Sequence, residues 1–351
     1  MKATAATLFA AAFLLAAPST QAQTLQKTGV RPVPDIAAQA AAEYRQMARY
    51  PEWCQPVPDG QPDPLKAKRV PSHLALPRDD GGALEVWSSD IRFEKGDTAI
   101  IHARLVTPPG KDADMPRLRG AKRGLRGWKV GAVITGRQSG EVGKVTLRDD
   151  GLGVDRRRGD GIYTGSFTLP AAHEPPIGQA ESLAVIVTAR NSAGDEMKAV
   201  GGFQYSHPAA HLTGRVRDRL EDGNLVILAE AQVEAAGRFH LSASLHDVSG
   251  KPLATAQNAV RLEPGIHWIP LEFFGLAMSD RGASGPFWID SMSLNTVSGI
   301  PNALGPMLEN VHLTHPYRAT AFHRRAFNRP DLIRAAERLE RVSAARRARQ
   351  R

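Results

Sequence analysis

The chain has 351 residues, a formal net charge of +9 at pH 7 and a single cysteine. This length suits two compact domains of ordinary size, and the positive charge favours polyanions or anionic surfaces as partners. A single cysteine excludes an internal disulfide, so packed cores, with or without a bound ion, must stabilise the fold.

The first residues predict an export signal. Lys2 supplies a short positive start, an apolar run follows over residues 5–17, and Ala22 suits signal peptidase cleavage before Gln23. The run is too short for a permanent membrane span, and no later segment is long and apolar enough to cross a membrane. We therefore expect residues 1–22 to be removed and the mature chain to be periplasmic or secreted.

An N-terminal helix and a proline-rich arm are predicted over residues 23–80. Asp35 begins a helical pattern whose apolar face would include Ile36 and Met47. The prolines that follow predict an extended arm that packs along a neighbouring domain. Cys54 lies in this arm without an obvious activating base nearby in the sequence, which predicts a buried structural thiol and not a nucleophile.

Two tandem immunoglobulin-like β-sandwiches are predicted over residues 81–206 and 211–318, which makes the fold class all-β. Apolar and polar residues alternate in short runs separated by Gly, Pro and Asp, as in antiparallel strands with one buried face. The clearest runs are 99–106 and 128–135 in the first sandwich and 225–234 in the second.

The loop over residues 149–164 is the most informative stretch, because it holds four aspartates and four glycines. This density predicts a sharp turn whose backbone N–H groups are satisfied by side-chain oxygens. The same carboxylates suit structural calcium, although three consecutive arginines in the loop oppose a cation. A third interpretation, a paired-carboxylate hydrolase centre, needs a cleft that a short loop does not offer. The candidate calcium ligands are Asp149, Asp150, Asp155 and Asp160.

Two tryptophans of the second sandwich are the candidate ligand-binding residues. Trp268 is out of phase with Ile269 and Leu271, which predicts that its ring lies on the outer face of a strand. If Trp288 also faced outward, the two rings would form a stacking platform for a sugar or a peptide. The alternative is that both rings pack in the core between the sheets.

Nothing in the sequence supplies a catalytic motif. The nucleophile elbow Gly-x-Ser-x-Gly, the zinc helix His-Glu-x-x-His and a phosphate-binding Gly-Lys-Ser/Thr loop do not occur. His240 and His246 lie too far apart on one predicted strand to share a metal ion within that strand. The histidines are therefore interpreted as surface or linker residues.

A basic helical tail is predicted over residues 319–351. Pro330 and Asp331 suit the first turn of a helix. Its apolar stripe is rich in alanine and has no aromatic residue after Phe327, which is insufficient for membrane insertion. The candidate polyanion-binding residues are Arg346, Arg347 and Arg349.

Short motifs across the second half resemble those of a known family. They include Leu212-Thr213-Gly214, Gly237-Arg238-Phe239-His240-Leu241, Leu245-His246-Asp247, Gly250-Lys251-Pro252, Leu262-Glu263-Pro264-Gly265, Leu271-Glu272-Phe273-Phe274-Gly275 and Pro316-Tyr317-Arg318. With these motifs the second half resembles the C-terminal region of the DUF4785 proteins, exported bacterial proteins also called choice-of-anchor X proteins. The resemblance implies stacked immunoglobulin-like domains and export, and it supplies no catalytic residues.

Together these features predict an exported, non-enzymatic binding or structural module of the bacterial envelope or secretome. The expected partner is an envelope or extracellular protein or a glycan, recognised through sandwich loops or an exposed sheet face. No nucleic-acid partner is expected. The alternatives are an accessory domain of an exported hydrolytic system and a polyanion binder that uses the basic tail.

Overall fold

The computed structural model describes residues 35–66, 72–73, 83–107, 119–120, 128–297 and 299–349. The predicted signal peptide and parts of the predicted arm lie outside the described residues. Within these ranges, every helix is too short or too polar to cross a membrane.

The described residues form three α-helices and eighteen strands, with short 3-10 turns at Ala171–His173 and Ala319–Ala321. The helices are α1 (Ile36–Met47), α2 (Leu276–Ser279) and α3 (Pro330–Arg349). The strands are β1 (Cys54–Pro56), β2 (Ser72–His73), β3 (Ala83–Ser88), β4 (Arg92–Glu94), β5 (Thr98–Thr107), β6 (Arg119–Gly120), β7 (Lys129–Gly136), β8 (Gly140–Leu147), β9 (Ile162–Thr168), β10 (Gln179–Arg190), β11 (Glu196–His207), β12 (Ala210–Glu221), β13 (Asn224–Val233), β14 (Gly237–His246), β15 (Pro252–Leu262), β16 (Gly265–Phe273), β17 (Trp288–Thr296) and β18 (Leu308–Leu313).

The first sandwich consists of two sheets that share one hydrophobic core. One sheet has the order β4-β11-β10-β7-β8, and the other has the order β2-β3-β5-β6 with β9 also paired to β5. Burial alternates along β7, as the period of two requires when one face of a strand meets the core. Fully buried side chains from both sheets include Leu84, Ile101, Ile134 and Leu183.

The second sandwich repeats this layering with a smaller sheet. The three-stranded sheet β12-β13-β16 faces the five-stranded sheet β1-β15-β14-β17-β18. Their shared core contains Leu225, Ile227, Leu241, Phe273 and Phe287, all essentially inaccessible to solvent. The predicted all-β class is confirmed, whereas the immunoglobulin-like subtype stays a prediction.

The N-terminal arm packs on the second sandwich, although the first sandwich follows it directly in the chain. Strand β1 pairs antiparallel with β15 and extends the five-stranded sheet. Beyond β1, the Val57 amide donates to the Leu253 carbonyl at 2.9 Å. Cys54 and Tyr50 are buried in the second core. The arm is therefore a structural part of the second sandwich.

Helix α1 buries a different face from the one predicted. Ile36 is 69% exposed and Met47 is 41% exposed, while Ala37 and Ala41 are buried. The prediction of an apolar Ile36 and Met47 face was wrong because α1 packs against α3, whose most buried residues are also small. Small side chains let two helices approach closely, so the larger apolar residues remain outside the contact.

The two sandwiches meet across a very short connection. Strand β11 ends at His207 and β12 begins at Ala210. The Leu304 amide donates to the Ser206 hydroxyl at 3.0 Å, which ties the second sandwich to the end of β11. The exact division of the chain into domains, at 206 and 211, stays a prediction.

Candidate functional site

The acidic loop brings three of its four predicted metal ligands together. Oxygen atoms of Asp149, Asp155 and Asp160 all lie within 4.8 Å of one another. Asp150 is not part of this group, and its carboxylate accepts from the Leu152 amide at 3.0 Å. Three converging carboxylates are a donor set that suits a hard cation such as calcium. Calcium binding stays a prediction, now with three of the four candidate ligands close together.

Backbone amides already occupy many of these carboxylate oxygens. Asp149 accepts from the amides of Gly159 at 2.6 Å and Gly161 at 3.1 Å, and Asp155 accepts from the Gly151 amide at 2.6 Å. Gly151 has a φ of +73°, and a Cβ there would lie 2.9 Å from the Arg158 Cβ. The loop is thus built around carboxylate–amide hydrogen bonds, and the turn needs no ion to satisfy its backbone.

The two candidate tryptophans lie on different sheets. Trp268 is on β16 of the three-stranded sheet, and Trp288 is on β17 of the five-stranded sheet, opposite Leu313 and His246. Both rings are half-buried. Since the two sheets face each other across the core, the rings lie on opposite outer surfaces and do not form a common platform.

Trp268 instead belongs to a surface rich in arginine. The guanidinium carbon of Arg217 lies 4.3 Å from the Trp268 ring centroid, and that of Arg215 lies 5.7 Å from it. Arg215 also pairs with Glu230 at 3.0 Å. Arg219 follows at the next alternate position of β12, so all three arginines share one face. We call this outer surface of β12, β13 and β16 the arginine–tryptophan face.

The predicted polyanion-binding residues lie at the C-terminal end of α3. Arg346, Arg347 and Arg349 are exposed in the last turn, where positive charge interacts favourably with the helix dipole. The Arg347 Nε lies 3.9 Å from Asp35, the N-cap residue of α1. Helix α3 is also held by a bidentate Arg45–Glu340 pair, at 2.7 and 2.8 Å.

Cys54 is fully buried, as the sequence predicts. Its sulfur accepts from the Phe274 amide at 3.2 Å. Burial raises the pKa of the thiol to about 12, only partly offset by this hydrogen bond. A thiol with such a pKa stays protonated at neutral pH, which fits a structural role.

A buried carboxylate that the sequence did not single out lies on β12. Asp218 has a side chain only 1% exposed, and it accepts from His312 Nε2 at 2.6 Å and the Tyr317 hydroxyl at 2.7 Å. The exposed His315 ring also contacts it, at 2.9 Å. Burial alone would raise the pKa of Asp218, but the hydrogen bonds outweigh it and lower the pKa to about 2.

A second buried polar cluster joins the arm to the five-stranded sheet. Asp63 accepts from the hydroxyls of Ser244 at 2.6 Å and Ser291 at 2.9 Å, and its Oδ2 lies 3.1 Å from His246 Nε2. Burial raises the pKa of Asp63, but these contacts and the Leu65 amide outweigh it and lower the pKa to about 2. His246 is therefore a buried residue, and its interpretation as a surface or linker histidine was wrong.

One segment in the second half of the chain matches a known family model. Residues 209–299 match a family model described as the C-terminal domain of DUF4785, a domain of unknown function. The predicted resemblance to DUF4785 proteins is thereby confirmed for this segment. No curated protein sequence matches the chain.

Three solved structures show weaker likeness. A DUF4785 family protein from Legionella pneumophila has 18% identity and a TM-score of 0.45, and the match covers 69% of this chain and 59% of that one. Tandem repeats of the extending region of a large adhesion protein have 13% identity, coverages of 68% and 50%, and a TM-score of 0.24. Bacteroides uniformis β-glucuronidase 2 has 12% identity, coverages of 60% and 25%, and a TM-score of 0.21.

Proposed function

We propose that this chain is an exported, non-enzymatic binding module of the bacterial envelope or secretome. We further propose that the arginine–tryptophan face of the second sandwich contacts the partner, and that the partner is a protein or glycan bearing acidic groups. Export is supported by the positively charged start, the apolar run over residues 5–17 and the small residue Ala22.

The arrangement of Trp268 and its neighbours carries the proposal. The Arg217 guanidinium lies over the Trp268 ring and is exposed, so the ring holds it where an acidic ligand could pair with it. Ile266 on the same strand is 63% exposed and enlarges the apolar part of this face. Aromatic residues and arginines are the residue types enriched at energetically important contact positions.

The polar clusters of the second sandwich support a non-enzymatic role. The Ser244 and Ser291 hydroxyls both donate to Asp63, and Ser244 Oγ also lies 3.3 Å from His246 Nε2. Both serines are fully buried, so neither is held as a nucleophile that faces an open site. The carboxylate of Asp218 is likewise occupied by histidine and tyrosine donors. These contacts stabilise the sandwich, and we propose that they serve structure and not turnover.

The proposal can be tested with the purified chain and defined acidic polysaccharides, alongside a pull-down from the native envelope. We expect binding that weakens by about tenfold or more when Trp268→Ala removes a central aromatic contact. Arg217→Ala should weaken the same interaction and reduce its dependence on salt.

Arg261→Ala is the matched control, because Arg261 is an exposed arginine on β15 of the other sheet. Equal loss of binding in Arg261→Ala and Arg217→Ala would show that net charge and not this face is recognised. Hydrolysis in an incubation panel of protein, glycan and ester substrates would instead favour the accessory hydrolytic role.

A further inference from the structure

We propose that Asp63, His246 and Asp290 form a binding site for a divalent transition metal ion, with zinc as the best match. The site would clasp the N-terminal arm to the second sandwich. It is separate from the arginine–tryptophan face, and its existence does not depend on the function proposed above.

The three ligand atoms lie close to the spacing that a zinc site requires. His246 Nε2 lies 3.1 Å from Asp63 Oδ2 and 3.7 Å from Asp290 Oδ2, and all three atoms lie within 4.8 Å of one another. Zinc bonds of about 2.0–2.2 Å place neighbouring ligands of a tetrahedral site about 3.3–3.6 Å apart. Small side-chain movements would therefore bring all three atoms onto one ion.

The surrounding contacts orient the ligands in the way metal sites require. His246 Nδ1 lies 3.1 Å from the Gly250 carbonyl, which can only accept, so this nitrogen carries the proton and Nε2 points to the carboxylates. The other oxygen of Asp63 accepts from the Leu65 amide at 2.8 Å. A histidine held by a backbone carbonyl and a carboxylate held by an amide are the outer contacts that fix ligands in metal sites.

The charge of the cluster also favours a cation. Two carboxylates converge in a site where all three ligand residues are buried, and burying like charges together is costly without a positive partner. In the absence of an ion, a positive charge comes from Lys66, whose Nζ lies 2.7 Å from Asp290 Oδ2.

Lys66 is the competing cation and gives the proposal a sharp test. Its side chain is 38% exposed, so it can move into solvent when an ion binds. One nitrogen and two oxygen ligands match zinc better than calcium, which prefers oxygen alone. The Lys66 ammonium pairs with Asp290 and repels a cation, so removing it should strengthen zinc binding. If the cluster is held only by hydrogen bonds and ion pairs, the same change could only weaken the cluster.

The experiment uses the purified full chain, stripped with a chelator and titrated with zinc by calorimetry and thermal unfolding. We expect one equivalent of zinc to bind and raise the melting temperature, since an ion that binds only the folded state stabilises it. His246→Gln should abolish the shift. Lys66→Met should bind zinc about tenfold more tightly or better, because a unit charge a few ångströms away is lost.

Lys95→Met is the matched control, because Lys95 is another partly exposed lysine in an ion pair, at 3.1 Å from Glu174 of the first sandwich. It should leave zinc affinity unchanged. Asp218→Asn should leave it unchanged as well, which distinguishes this site from the other buried aspartate–histidine cluster. If His246→Gln does not fold, the d–d absorption of cobalt(II) in the unaltered chain reports a tetrahedral site.

Two results would overturn the proposal. One is the absence of any zinc-dependent shift in both the unaltered chain and Lys66→Met. The other is zinc binding of full strength in His246→Gln, which would place the ion elsewhere.

Discussion

Asp218 is a buried carboxylate whose ionisation stabilises the fold. Its carboxylate is 1% exposed and is surrounded by His312, His315 and Tyr317. Burial raises the pKa of Tyr317, and the hydrogen bond to the charged Asp218 carboxylate raises it further. The folded state therefore holds Asp218 ionised and Tyr317 protonated.

Asp218→Asn should destabilise the chain most at neutral pH. The pKa of Asp218 is about 2 when folded, against 3.8 for the unperturbed group, so its stabilisation is present above about pH 4 and is lost as the pH falls through 2. We expect a deficit of about 2 kcal/mol at pH 7 that shrinks toward pH 2. Urea unfolding at several pH values measures this difference.

Asp222→Asn is the control for this measurement, because Asp222 is exposed in the turn that follows β12. It should change stability little at any pH. A deficit in Asp218→Asn that is the same at pH 3 and pH 7 would show that lost packing, and not lost charge, is responsible.

Single residues also show which of the candidate sites could be predicted from the sequence. The acidic loop was predictable because Asp149, Asp155 and Asp160 lie within one turn of the chain. The contact between Asp63 and His246 joins residues 183 positions apart, and nothing in the local sequence marks either as a partner of the other. His246 was noticed only as part of a family motif, which carries no information about its neighbours.

At the scale of elements, the strands were predictable and the helix faces were not. Apolar residues that alternate with polar ones predict a strand with one face on the core. The runs with this alternation form β5, β7 and β13. In a helix, alanines contribute little to a hydrophobic pattern, so the burial of Ala37 and Ala41 against α3 left no clear signal. The partner of α1 lies at the other end of the chain, beyond the reach of local periodicity.

The hydrogen bonds within the acidic loop predict how much stability is lost when Asp149 is replaced. Asp149→Ala removes the acceptor of the Gly159 and Gly161 amides, so we expect a loss of about 1–2 kcal/mol in thermal or urea unfolding. Because the backbone amides already satisfy this carboxylate, the loss should be the same with calcium and with a chelator.

Asp150→Ala is the comparison variant, since Asp150 is not in the converging group. It should cost less than Asp149→Ala. A calcium-dependent rise in melting temperature that Asp149→Ala abolishes would contradict the hydrogen-bond interpretation and establish the predicted ion.

The basic tail can be tested without deleting its helix. Removing α3 would uncover α1, so a truncated chain would confuse folding with binding. Arg346→Glu combined with Arg349→Glu keeps the helix contacts, and it should sharply reduce retention on heparin if the tail binds polyanions. Full retention of the double variant would assign the affinity to another basic surface.

At the scale of the whole molecule, the junction between the sandwiches contains incompletely satisfied polar groups. Arg92 Nε and Nη1 and Glu94 Oε1 are buried without a hydrogen-bond partner among the described residues. These residues line a cavity of about 390 Å³ together with Gly305 and Lys66 of the second sandwich and its arm. Three of the five buried side-chain atoms that lack a partner among the described residues therefore lie at this junction, and the other two are Ser139 Oγ and His323 Nδ1.

Glu94 should make this junction sensitive to pH near neutrality. Burial, with a smaller contribution from Asp97, raises the pKa of Glu94 from 4.5 to about 7. The raised pKa means that the stabilisation is complete below about pH 4.5 and is lost as the pH rises through 7. Glu94→Gln imitates the protonated form, so it should match the unaltered chain at pH 5 and exceed its stability above pH 7 by about 1–2 kcal/mol.

His211 is the group that could reverse this result, because its Nδ1 lies 3.9 Å from Glu94 and its Nε2 lies 3.5 Å from Glu234. A protonated His211 would favour ionised Glu94, and Glu94→Gln would then be less stable than the unaltered chain at pH 6. Glu234→Gln is the matched control, since its half-exposed carboxylate faces the same ring from the other side. Thermal unfolding of the unaltered chain, Glu94→Gln and Glu234→Gln between pH 5 and pH 8 separates the two cases. If only Glu94→Gln is stabilised, and only at high pH, the buried Glu94 carboxylate is the group that weakens the junction.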